Sequence, residues 1–171
     1  MQRHLSLLII LAALEAGTGN GADHRPAPSI LDFSLGEREG DIVKKLGPSE
    51  HLSAGTGYRT LDYLLGPEER SDEDYDWTFY FERPSGALVS VTRNFAKPAS
   101  VAALLKGDGV RSHTYDAGPH ASLEALSLTL PGDRVLVAVG LSKTNDACSQ
   151  LVLMRRAALP RFYPWIAKDL P

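Results

Sequence analysis

The 171-residue chain contains one cysteine, Cys148, so no disulfide can form within it. Its neighbours Leu151, Val152 and Leu153 suit a small buried hydrophobe, and a reactive or dimer-forming thiol is the alternative. Positive charge is not in excess: 18 Lys and Arg stand against 21 Asp and Glu, a net of −3, which argues against nucleic acid or an anionic membrane surface as partner. Catalytic signatures are missing as well. There is no Gly-x-Ser-x-Gly elbow, no Ser-x-x-Lys and no His-Glu-x-x-His. The short glycine stretches Gly17–Gly21 and Gly55–Gly57 lack the lysine of a phosphate loop. Long apolar runs are absent too. The longest, Leu5 to Leu14, is ten residues broken only by Ser6. As a helix it covers about 15 Å, half of a hydrocarbon core of roughly 30 Å, so no membrane span is expected.

That run follows Arg3 and precedes the small and polar stretch Glu15 to Ala22. A basic start, a short apolar core and a small-residue exit form the layout of a secretory signal peptide, placing the protein in the periplasm or outside the cell. Small residues at Gly17-Thr18-Gly19 and Gly19-Asn20-Gly21 supply cleavage sites, and a mature start between residues 17 and 23 is expected. Residues 1–21 read as signal and 22–33 as a flexible lead-in. What remains, about 150 residues, is enough for a core that buries close to 70% of the unfolded surface without a staple.

Ile42, Val43 and Leu46 recur at helical spacing, with Glu37, Asp41, Lys44 and Lys45 for the wet face. Ser34-Leu35-Gly36-Glu37 has the form of a capping box, and Gly47-Pro48 stops the helix. Residues 58–64, 77–82 and 87–92 then read as strands, the last two joined by Pro84-Ser85-Gly86. Residues 101–106 form a helix candidate ended by Gly107, and 110–115, 123–130, 134–139 and 150–154 read as further strands. The order of a helix followed by strands occurs twice, about 60 residues apart. A tandem duplication and two unrelated stretches of one sheet both account for it. The expected class is α+β, short helices packed on antiparallel sheet, with α-β-β-β units at 34–97 and 98–158 and an aromatic tail at 159–171.

Leu35-Gly36, Asp41-Ile42-Val43, Leu46-Gly47-Pro48, Tyr58 to Tyr63, Trp77 to Phe81 and Ser85 to Val89 run in an order that resembles the SmpA/BamE (OmlA)-like envelope proteins. The repeat is similar to secreted β-lactamase-inhibitor proteins, which look like two such units in tandem. The resemblance implies an α+β scaffold that binds protein in the bacterial envelope. The lipid-bearing cysteine of the BamE pattern is absent here, and Pro48 follows Gly47 directly.

Asp72, Asp74 and Asp76 have the alternate spacing that opens a calcium loop, but Trp77 occupies the turn-glycine position and Arg83 that of the bidentate Glu. Scattered His51, His113 and His120 show no metal-ligand spacing, so no metal and no cofactor is expected. In strand 77–82, Trp77, Phe79 and Phe81 share one face, leaving Thr78, Tyr80 and Glu82 on the other. These three, with Arg59 and Tyr63 from the neighbouring strand, form the candidate protein-contact surface. The Pro160-to-Ile166 tail either docks on a sheet face or offers an exposed aromatic patch. The reading is an exported, non-catalytic binding or scaffold module with a protein partner. A secreted hydrolase with spatially assembled acids and a calcium-stabilised module are the alternatives.

Overall fold

The structure, a computed structural model, describes residues 28–65, 75–116, 118, 122–142 and 147–170. The expected signal peptide, His120 and the acidic run from Glu68 to Asp74 lie outside them. Eight strands form one antiparallel sheet: β1 (His51–Ala54), β2 (Tyr58–Tyr63), β3 (Trp77–Glu82), β4 (Leu88–Ser100), β5 (Val110–Asp116), β6 (Ser122–Leu130), β7 (Arg134–Leu141) and β8 (Ala147–Arg155). Their spatial order is β1-β2-β3-β4-β8-β7-β6-β5, two four-strand meanders joined through their last strands. Strand accounts for 51% and helix for 17% of the described residues, which makes the fold mostly β and corrects the α+β expectation. The expected helix at 101–106 does not form. Leu104 and Leu105 both bond the Val101 carbonyl at 2.9 Å in a closed turn, and that span, ended by Gly107, is too short to propagate a helix.

Helix α1 (Glu39–Leu46) does form, ended by Gly47 in a positive-φ conformation whose N–H bonds the Val43 carbonyl at 2.8 Å. Its N-terminus lies later than Ser34. Glu37 bonds the Ser34 amide in a separate turn, and the helix is closed by Asp41 accepting from the Arg38 amide at 3.1 Å. Gly36 and Glu37 are tied to Leu88 by two backbone bonds of 2.8 Å, which holds this segment against β4.

Strand register gives the sheet two chemically distinct faces. On the α1 face one row runs through all eight strands: Leu52, Leu61, Phe79, Val91, Leu153, Leu136, Leu128 and Val110. Ile30, Phe33 and Ile42 cover it, so the end of the expected lead-in is part of the core. Phe33 sits edge-on to Trp77 at 5.6 Å and to Phe79 at 4.8 Å, while Tyr63 packs edge-on against Phe79 at 5.6 Å. Cys148 is also fully buried in this cluster, and burial pushes its thiol up to about 11.

The opposite face is covered in part by α2 (Leu159–Phe162) and α3 (Pro164–Ala167). Leu159 and Ile166 pack on Ala125, Val135, Val137, Val139, Val152 and Met154. Polar clamps hold the segment at both ends. Arg161 donates to the Thr56 carbonyl at 2.7 Å and lies over the Tyr58 ring at 4.4 Å; a Cβ at Gly57 would stand 2.8 Å from its guanidinium. At the other end, Arg111 donates to the Asp169 carbonyl at 2.8 Å, and His113 bridges Asp169 at 3.0 Å and Ser127 at 2.7 Å. The aromatic tail is therefore a docked cover.

Three outcomes are expected. Phe79→Ala should cost about 3–5 kcal/mol in urea unfolding through the cavity it leaves, whereas Leu52→Ala at the exposed edge should cost well under about 1.5 kcal/mol. His113→Ala should cost about 2–4 kcal/mol, because it orphans the buried Ser127 hydroxyl, while Asp169→Ala, at 59% side-chain exposure, should cost about 1 kcal/mol or less. In the native state Cys148 should resist an aromatic disulfide reagent and react fully once the chain is unfolded in urea.

Candidate functional site

At the boundary between the two meanders the chemistry of the opposite face changes, and the cover crosses it only with Arg161 and Phe162, which reach Tyr58 and Tyr80. One row reads His51, Asp62, Thr78, Thr92 and then Val152, Val137, Ser127, Arg111. The adjacent row reads Ser53, Thr60, Tyr80, Ser90 and then Met154, Val135. In both rows side chains from β1–β4 are polar, and the change to aliphatic residues comes at β8. Apolar surface attracts a cover because its burial gains roughly 25 cal/mol per Å²; hydroxyls and carboxylates give no such return.

The polar half is walled by aromatics. Phe162 leans on Tyr58 at 5.1 Å and meets Tyr80 edge-on at 5.2 Å. Beside them the Tyr163 hydroxyl donates to Gln150 Oε1 at 2.8 Å, and Gln150 donates to Asn94 Oδ1 at 2.9 Å. On the far side the His51 ring stacks on Tyr75 at 5.8 Å. Between these walls Asp62 is only 7% exposed. Its Oδ2 atom meets His51 Nδ1 at 3.2 Å and accepts from the Thr60 hydroxyl at 3.5 Å. Burial pushes the Tyr80 phenol up, and the Asp62 carboxylate adds to it. Burial, then Tyr80, hold the Tyr163 phenol at about 12. Both phenols are neutral hydrogen-bonding groups at physiological pH. The Ser90 hydroxyl is fully buried and has no hydrogen-bond partner among the described residues.

The five residues read from sequence as one contact surface do not share a face. Thr78, Tyr80 and Glu82 lie on the polar half described above. Tyr63 pairs with Trp77 and Arg59 with Phe81, which turns both toward α1. Tyr63 is buried, donates to the Gly47 carbonyl at 3.1 Å and has its phenol pushed up to about 12, by burial first. Arg59 pairs with Glu39 of α1 at 3.2 Å. The polar positions that sequence reading passed over are His51, Thr60, Asp62, Ser90 and Thr92. The alternation of 58–64 already placed Thr60 and Asp62 together, opposite Tyr63, and that signal was available.

Ser127, His113 and Asp169 are in line, as a nucleophilic relay requires, but access is reversed. The serine is fully buried and His113 is 3% exposed, while Asp169 is open to solvent. Trp165 lies edge-on to His113 at 6.3 Å. A nucleophile must reach its substrate, and here any movement that freed Ser127 would carry Asp169 away with the cover. The trio is a structural clamp. No cluster of three or more potential metal ligands occurs among the described residues. Asp76, the last acid of the calcium-like pattern, is 5% exposed, and the others lie outside them.

No family model and no curated protein matches the chain. Among solved structures it is similar to an extracellular protein containing an SCP domain from Bacillus anthracis str. Ames, with 10% identity and a TM-score of 0.55. That match covers 88% of this chain and 53% of the other, so the chain spans about half of its neighbour's length. A cysteine-rich secretory protein from Staphylococcus aureus subsp. aureus Mu50 aligns at 13% identity over 77% of this chain and 46% of that one, with a TM-score of 0.46, too low to carry an argument. The first of these likenesses replaces the SmpA/BamE-like resemblance, tandem form included, because its matching pieces were short local turns and strand ends rather than a shared sheet. Likeness at this identity concerns the fold alone, a mostly β sheet shared with part of an extracellular protein.

Proposed function

We propose that the chain is an exported, non-catalytic module that binds a protein partner through the polar half of its outer sheet face. The signal-like N-terminus and the fold shared with part of an extracellular protein support export, to the periplasm or beyond it. Among the described residues no helix is long and apolar enough to cross a membrane. The observation that carries the binding role is the abrupt change along both rows at β8. The aliphatic side chains of the chain's own cover pack on the aliphatic half, whereas the polar half, which the cover touches through Arg161 and Phe162, carries tyrosines, hydroxyls and a nearly buried carboxylate. Tyrosine gives large, fairly rigid contact area with a polar end, which suits protein recognition. A hydrolytic role has less support, since among the described residues the aligned nucleophile Ser127 is sealed.

The test is capture of a partner from periplasmic and culture fractions by the immobilised mature protein. Wild-type protein should retain a saturable partner, and Thr78→Lys or Glu82→Lys should weaken it by more than about 1 kcal/mol, with thermal midpoints close to wild type. Lys44→Glu on α1, across the sheet, should leave capture unchanged. Loss of capture in the α1 variant but not in the two β3 variants would place the contact on the wrong face.

A further inference from the structure

Asp62 is the buried carboxylate on the polar half, where Glu82 and His51 are exposed. Its side chain is 9% exposed, and its two partners, His51 Nδ1 and the Thr60 hydroxyl, both engage Oδ2. Oδ1 has no hydrogen-bond partner among the described residues, and no Lys or Arg there forms an ion pair with this carboxylate. A largely buried carboxylate with one oxygen left open can take a cation or a further donor there. Diagonally across β3, the buried Ser90 hydroxyl, paired in register with Tyr80, has no hydrogen-bond partner among the described residues. The surroundings favour one kind of visitor. Tyr80 lies to one side and the His51–Tyr75 stack to the other, and aromatic faces attract a cation. The same chain already seats guanidinium groups on rings, Arg161 over Tyr58 at 4.4 Å and Arg93 over Trp77 at 5.2 Å.

We infer that Asp62 is the anchor for an arginine side chain of the partner, which enters between Tyr80 and the His51–Tyr75 stack and donates to Oδ1. A guanidinium suits the place better than an ammonium. It is planar enough to lie against a ring and has five N–H donors to share between a carboxylate and neighbouring hydroxyls. A neutral polar group would leave the carboxylate uncompensated, and an anion would be repelled by it. This inference rests on the proposed binding face and names the chemistry that face selects.

The experiment needs no partner. Amide spectra of the mature protein labelled with ¹⁵N are titrated with N-acetyl-arginine amide, with the lysine analogue and with the neutral citrulline analogue. Saturable shifts centred on Asp62, Thr78 and Tyr80 are expected with the arginine probe, weaker ones with lysine and none with citrulline. Asp62→Asn keeps an oxygen acceptor toward Thr60 and should weaken the arginine probe by at least about tenfold. Should that variant fail to fold, Tyr80→Leu is the second test, with a smaller loss expected from the missing ring. Equal shifts with citrulline, undiminished binding by Asp62→Asn, or no shifts near Asp62 with arginine would each overturn the assignment. Failure here, with partner capture still sensitive to Thr78→Lys, would reject the anchor and leave the contact face standing. Loss of both would reject the face.

Discussion

The antiparallel pairing of β4 residues 90–94 with β8 residues 150–154 determines where every other element can sit. Each meander alone offers four strands and two free edges. Joining them through their last strands buries the two inner edges against one another and makes a single sheet whose rows continue from His51 to Arg111. The register matters as much as the pairing. With Val91 opposite Leu153, the apolar row of one meander meets that of the other and an unbroken stripe forms under α1. A slip of one residue would set Leu153 opposite a hydroxyl and break that stripe at the centre of the sheet.

The asymmetry of the opposite face follows from the same joint. Because Ser90 meets Met154 and Thr92 meets Val152, the change from polar to aliphatic falls at one line across the sheet. The C-terminal segment, anchored by Leu159 and Ile166, is apolar where it meets the aliphatic half; the Tyr163 hydroxyl bonds Gln150 on β8, and the Phe162 ring reaches across to Tyr58 and Tyr80. His113 has a structural place in this arrangement. It satisfies a buried serine and ties down the far end of the cover, which explains why three residues in catalytic order have no catalytic access.

Much of the strand content was legible in the sequence, because alternation has a period of two and survives any sheet order. Residues 77–82 were placed without error, and the core role of Trp77, Phe79 and Phe81 was read from that strand alone. Strand β1, His51–Ala54, was missed: its alternation of His51 and Ser53 with Leu52 and Ala54 is only four residues long, too short to stand out from a loop. The helix expected at 101–106 failed for the opposite reason, since Val101 and Leu105 at i, i+4 have helical spacing yet are buried by a single closed turn beside the sheet.

The sequence by itself determined the helix ending at Gly47, most of the strands and the residues within each that must share a face. Only the tertiary structure decided which strands are neighbours, and with that the candidate site. Asp62 and Ser90 lie 28 positions apart and never meet in local periodicity; β3, pairing with both of their strands, brings them to one surface. The same limit misplaced Tyr63 and Arg59. Their face depends on the partner across the strand, Trp77 and Phe81, and hydrogen-bond register between strands is set by the packing of the whole sheet rather than by any single segment.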